Sequence, residues 1–371
     1  MTTTIALLEE LVGLDTTSNR SNLTLVHRVA DRLDGIGARV RLSYDDGRSK
    51  ANILASFGPK GPGGVVLSGH TDVVPVDDQN WSSDPFRLTE RNGKLYGRGV
   101  ADMKGFVAAC LAAAGGFSAA DLARPIHIAL SYDEEVGCLG VPRLIEDLLT
   151  HEEKPELAII GEPTGMRLGD RHRGFLGFRT RFDGKAAHSS DPSAGASAIY
   201  PAADFVSFLK SVGHRAGAGI DQTTVNIGRI QGGSAINIVP SACEVVWEFR
   251  PVTPQDAGEI EQLVAAYLTR ALPSEVRQST CRDIHVPPLA AAGDASALGV
   301  AAALGGIGPP FAMPFGTEAG FFQAAGMSAV VCGPGSIAQA HQPDEWIERS
   351  QLDAADAFLI RLTDWAACRP F

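Results

Sequence analysis

The sequence predicts an α/β fold: a mostly parallel, mixed sheet flanked by helices, with a smaller α+β domain inserted into it. Three observations carry this expectation. Short apolar runs such as Val65-Val66-Leu67 and Leu157-Ala158-Ile159-Ile160 have the length and composition of strands buried on both faces. Such runs alternate with helical periodicities through the first part of the chain, as in a parallel sheet covered by helices. From about 175 the pattern switches to apolar–polar alternation, in Phe175-Leu176-Gly177-Phe178-Arg179-Thr180-Arg181-Phe182 and again in Cys243-Glu244-Val245-Val246-Trp247-Glu248-Phe249-Arg250. Half-buried antiparallel strands give that signal.

Taken in order, the periodicities place helices over 3–13 and 22–36, the second closed by Gly35 and Gly37. Strands follow at 38–44, 51–57 and 64–69. A small-residue helix over 103–117 precedes a strand at 126–131, a helix over 139–149 and the strand opening at Leu157. Inside the insertion, helices over 194–211 and 254–271 punctuate the strands. After Pro287-Pro288 the helix–strand alternation resumes, with a strand at 328–332 and a final helix over 349–366. Residues 1–174 and 286–371 are therefore expected to form the main domain, and 175–285 the insertion. A chain of 371 residues also exceeds the size at which a single core keeps growing.

Composition narrows the function classes. Hydrophobic residues at 44% and charged residues at 20% suit a globular enzyme. A net charge of −11 argues against nucleic acid as a partner, because phosphate binding needs a basic surface. Six cysteines, at 110, 138, 243, 281, 332 and 368, form no CxxC pair and read as small hydrophobes in a reducing compartment. The opening MTTTIALLEELVGLDTT has no basic leader region, and no apolar run approaches the roughly 18 residues of a membrane span. The expectation is a cytoplasmic protein with no membrane partner.

The chemistry sits where strands run out. His70 and Asp72 follow the apolar run 65–69, at the sheet edge where open α/β folds bind ligands. Their i, i+2 spacing lets Asp72 accept the second ring N–H of His70 and fix its tautomer. Asp102 stands in the glycine-rich Gly97-Arg98-Gly99-Val100-Ala101-Asp102-Met103-Lys104-Gly105, where a plain helix cap is the bland alternative. The run Asp133-Glu134-Glu135 ends another strand, and adjacent like charges are costly unless cations neutralise them. Here Glu135 reads as a ligand and Glu134 as the general base. Glu162 repeats the theme of apolar strand, glycine, acid, and His341 lies in the loop after 328–332. One at a time these residues are unremarkable. Together they are a cysteine-free oxygen and imidazole set suited to two zinc-like ions sharing a carboxylate, which activates water for hydrolysis.

In this order, GHTDVVP, GRGVADMKG, DEE, GEPT and AHQPDE resemble the motifs of the M20 family of di-zinc peptidases and deacylases, essentially end to end. The stretches Ala187-His188-Ser189-Ser190-Asp191-Pro192, Gly232-Gly233 with Asn237-Ile238-Val239-Pro240, and 335–345 look most like the members that deacetylate acetylornithine. The resemblance implies one zinc on His70 and Glu162, another on Glu135 and His341, Asp102 bridging, and cobalt able to substitute. It implies a cis peptide after Asp102, and a homodimer whose inserted domain acts as a lid. His188 would donate to the oxyanion, commonly from the partner subunit, and Asn237, Arg250 and Thr317-Glu318 would bind substrate.

The expected reaction is hydrolysis of the amide of an N-acyl-L-amino acid, N-acetyl-L-ornithine giving L-ornithine and acetate for arginine biosynthesis. Desuccinylation of succinyl-diaminopimelate, deacylation of another acetylated amino acid and dipeptide cleavage stay open, since pocket contacts set specificity. The basic run Arg171-His172-Arg173 would suit a succinyl group. A catalytically silent binding relative is the alternative from another class, and the retention of Glu134 and Asp72 speaks against it. Acidic strand ends likewise disfavour a two-metal phosphatase.

Overall fold

The computed structural model describes residues 2–213, 219–291 and 296–368. Two compact units result: Met1–Arg171 with Ala291–Ala312 and Thr317–Phe371, and His172–Ala290 with Met313–Gly316.

The first unit is built on an eight-stranded mixed sheet, as the apolar runs require. At its centre Ile126–Ser131, Val65–His70, Leu157–Pro163 and Ser328–Gly333 lie side by side and parallel. Every residue of the first three is buried, so continuous apolar sequence is what those positions demand. Arg39–Tyr44 and Ala51–Phe57 extend one side antiparallel, and Arg167–His172 pairs antiparallel with Ser328–Gly333 on the other. The far edge is Ile307–Met313, where Pro309 and Pro310 are tolerated because an edge strand has N–H positions to spare.

Helices Leu23–Asp34, Lys104–Ala119 and Arg349–Ala367 bury Leu33, Phe106, Phe117 and Phe358 against Val65, Leu67, Ile128 and Ile159. Helices Val141–His151 and Ala319–Ala324 touch each other outside that cluster. The chain passes from Val65–His70 to a neighbour on one side, Ile126–Ser131, then crosses to the other side at Leu157–Pro163. That reversal leaves a crevice at the carboxyl ends of these strands, the place where such sheets bind ligands.

The second unit is a four-stranded antiparallel sheet, ordered Thr224–Gly232, Ala242–Arg250, Phe175–Asp183, Arg277–Val286. Its alternating residues Phe182, Trp247 and Phe249 pack under helices Ile199–Val212 and Pro254–Arg270 together with Phe205 and Ile260. Phe178 stacks on Trp247 at 4.6 Å, and the indole N–H donates to Thr180 Oγ1 at 3.1 Å. Thr253 and Asp256 form a reciprocal cap that starts the second helix. The first begins at Ile199 rather than 194, because Lys185 and Ala196 exchange main-chain hydrogen bonds and hold 195–198 out of the helix.

Candidate metal centre

His70 closes its strand with the ring buried. Its Nδ1 lies 2.9 Å from the main-chain oxygen of Asp72, while the Asp72 carboxylate stands at 3.6 Å. The peptide oxygen therefore sets the tautomer more directly than the expected carboxylate. Nε2 is left facing Asp102 Oδ1 at 3.0 Å and Glu162 Oε1 at 3.8 Å.

The carboxylate of Asp72 has a different task. It accepts the Ser18 hydroxyl at 2.7 Å and the main-chain N–H groups of Glu134 and Glu135 at 3.1 and 3.3 Å. It thus pins the acidic turn that follows Ile126–Ser131. Asp133, in the left-handed region at φ 56°, pairs with Lys50, which also reaches the main-chain oxygen of Ser18. With Asp133 spent on this anchor, Glu134 and Glu135 are the acids of the turn left for chemistry. The Cys138 thiol donates to Glu134 Oε1 at 3.4 Å.

Asp102 is presented by the 97–103 turn, whose Asp102–Met103 peptide is cis, as the resemblance implied. Gly99 has φ 81°, and a Cβ there would stand 2.7 Å from Val73, so the turn needs glycine. Glu345 holds the turn together from 243 residues away in the chain. Its Oε1 accepts the N–H groups of Ala101 (2.9 Å) and Asp102 (3.1 Å), and its Oε2 those of Gly99 (3.0 Å) and the Arg98 guanidinium (2.8 Å). Spacing alone gave no hint of this role, because the partners are main-chain amides.

His341 arrives from the loop after Ser328–Gly333, half-exposed, with Nε2 3.0 Å from Glu135 Oε2 and 3.4 Å from Asp102 Oδ2. Two donor groups result, His70–Asp102–Glu162 and Asp102–Glu135–His341, each with ligand atoms within 4.8 Å of one another. Asp102 belongs to both and turns one oxygen to each histidine. The donors are imidazole nitrogen and carboxylate oxygen with no sulfur, a set that fits divalent zinc-like ions.

The electrostatics agree. Burial pushes the Glu134 and Glu162 carboxyls well above the usual range, and neighbouring acids push them further. Burial alone would raise Asp102 as well, yet the His341 and His70 rings hold it far below its ordinary value. Hydrogen bonds to Asp102 and Glu135 raise His341 to about 10. So many buried acids around two imidazoles are stable as anions only beside cations.

The model of peptidase family M20/M25/M40 matches residues 66–364. The chain belongs to peptidase family M20. A protein named acetylornithine deacetylase from Pasteurella multocida (strain Pm70) is 35% identical over 361 residues, 94% of this chain and 93% of that relative. Among solved structures, an M20 family metallo-carboxypeptidase from Sulfolobus solfataricus superposes with a TM-score of 0.75 at 18% identity, covering 99% of this chain and 100% of that one. A tripeptidase from Staphylococcus aureus subsp. aureus gives 0.73 at 20% identity, covering 98% of both chains.

In this M20 hydrolase the remaining candidates fall in two places. Thr317 is fully buried and accepts the Ala319 N–H at 3.1 Å. Glu318 is buried too, between the hydroxyls of Ser68 (2.8 Å) and Ser131. His188, Asn237 and Arg250 belong to the second unit. His188 Nδ1 meets Ser190 Oγ at 2.8 Å, and Ser189 N–H donates to the Asn237 main-chain oxygen, so His188 and Asn237 lie on neighbouring segments. Arg250 pairs with Glu248 at 3.2 Å and lies over the Phe175 ring at 3.7 Å. No helix among the described residues is long and apolar enough to cross a membrane.

Proposed function

We propose that this M20 hydrolase is a two-zinc amidohydrolase that removes the acyl group of an N-acyl-L-amino acid, with N-acetyl-L-ornithine as substrate and L-ornithine and acetate as products. The observation that carries the two-ion reading is Asp102, whose two oxygens face two separate histidines. His70 and Glu162 would hold one ion, Glu135 and His341 the other, with Asp102 between them; cobalt would substitute. When bound, such ions polarise an amide carbonyl and make water acidic near neutral pH.

The chain's own groups do the rest. Glu134, raised in pKa by burial and by Glu135, takes the proton from water and passes it to the departing amine. Asp72 keeps Glu134 and Glu135 in register through their amides. His188 donates to the developing oxyanion, and Asn237, Arg250 and Thr317 position the substrate. For Arg250 that role means exchanging Glu248 for a substrate carboxylate. The second unit acts as lid and as the dimer contact in a cytoplasmic homodimer serving arginine biosynthesis.

Acetyl is preferred to succinyl for a physical reason. In the basic run, Arg171 is already paired with Asp170, burial lowers His172 to about 4 so that it carries no charge at neutral pH, and Arg173 donates to the Gln222 main-chain oxygen at 3.4 Å and to Thr224 Oγ1 at 3.5 Å. The test is a panel of acetylornithine, other acetylated amino acids, succinyl-diaminopimelate and dipeptides on zinc- and cobalt-loaded protein. Acetylornithine should give the highest kcat/KM. Preference for the succinyl substrate or a dipeptide overturns the substrate, and inactivity on all of them overturns the reading as an enzyme.

A further inference from the structure

The two donor groups are secured differently. His70 ends a buried strand, and its ring bonds to the chain two residues on. His341 is half-exposed, on a stretch that is neither helix nor strand, with φ 64°. Something else must fix its backbone, and the hydrogen bonds identify what does.

Gln79 Nε2 donates to the main-chain oxygen of His341 at 3.0 Å. Gln79 Oε1 in turn accepts from Arg98 Nη2 at 2.5 Å and from the Trp81 indole at 3.1 Å. Arg98 Nη1 reaches Gln342 O at 3.3 Å and Glu345 Oε2 at 2.8 Å. Glu345 then takes the amides of Gly99, Ala101 and Asp102. A continuous path therefore runs from His341 through Gln79, Arg98 and Glu345 to Asp102. Beside it, Ser82 donates through N–H and hydroxyl to Asp344 Oδ1, tying the same segments a second time. None of these contacts involves His70 or Glu162.

We infer that Gln79, Arg98 and Glu345 are positioning residues that set the spacing between His341 and Asp102, and that Gln79, which touches the His341 side, selectively controls the ion held by Asp102, Glu135 and His341. The inference rests on the two-ion reading above. Partners that orient ligands contribute 10- to 100-fold to metal affinity in such centres. Gln79 is the informative site. It is only part-buried, so its replacement does not open the core, and it contacts His341 rather than the shared Asp102.

The experiment titrates Co2+ into metal-free protein by calorimetry, with the visible absorption of bound Co2+ followed in parallel. Wild-type protein should bind two ions. Gln79→Ala should weaken one of them by roughly 10- to 100-fold and leave the other unchanged. Gln79→Glu keeps the size and the acceptor for Arg98 but lacks the donor to His341, so it should lose the same ion. Melting temperatures of the metal-free variants should match the wild type. Unchanged affinities, equal weakening of both ions, or recovery in Gln79→Glu would each overturn the inference alone. A wild-type stoichiometry of one overturns the two-ion reading first, and is seen before any substitution is made.

Discussion

Glu134 is held from two sides. Asp72 accepts its amide and Cys138 donates to Oε1, while Lys50 is used on Asp133. A carboxylate whose pKa is raised is a better proton acceptor, which is the property a general base needs. Glu134→Gln keeps the shape and the amide bond but removes the basic oxygen. It should bind the same number of metal ions while kcat falls by about 10²- to 10⁴-fold. Metal counting on the purified variant beside steady-state kinetics checks both halves. Undiminished turnover would remove Glu134 from the mechanism, and lost metal would make it a ligand instead. The acidic turn was open to sequence reasoning because an acid triplet ending an apolar strand is chemically unusual. The work of Glu345 and Glu318 was not. Both satisfy groups contributed by strands and turns far away in the chain, and nothing in local sequence marks a carboxylate that will end among amides or serine hydroxyls.

At the level of elements, the glycine before Glu162 has a steric cause. A Cβ on Gly161 would lie 2.0 Å from the Phe106 ring, and one on Gly333 would lie 2.1 Å from the Gly161 oxygen. Two strand ends and the helix Lys104–Ala119 thus approach as closely as bare backbone permits, which brings Glu162 to His70. Gly161→Ala must displace a ring that is 2% exposed in the core. It should cost about 1–3 kcal/mol of unfolding free energy, measured in denaturant on metal-free protein. No loss of stability would mean that Phe106 has room the structure does not record. The fully buried central strands were legible because a continuous apolar run has few other uses. Ile307–Met313 was not, since it contains two prolines, and Arg277–Val286, almost wholly exposed, was legible only as a strand without bounds closing the insertion. Edge strands carry less of the hydrophobic pattern on which such reading depends.

Across the whole molecule, each unit has its own core and each holds one buried imidazole that burial drives down to about 4. In the larger unit His127 bonds Ser56 Oγ through Nδ1 at 2.8 Å, and its Nε2 has no partner among the described residues. In the smaller one His172 Nδ1 meets the Arg173 oxygen at 2.9 Å. Both are neutral in the folded chain at neutral pH. An unfolded histidine protonates near 6.5, so between 6.5 and about 4 the unfolded chain binds more protons than the folded one. Stability from these sites is therefore full above pH 6.5 and declines as pH falls toward 4, by on the order of 3 kcal/mol for each histidine. Buried glutamates whose pKa is raised contribute with the opposite sign, so the informative quantity is a difference between variants. His127→Asn retains a polar partner for Ser56 and cannot become charged. Amide exchange read separately in the two units between pH 7 and 4.5 should show the larger unit losing protection less steeply in this variant, while the smaller unit follows the wild type. Equal slopes in the larger unit would mean that water or a structural rearrangement accommodates the proton on His127.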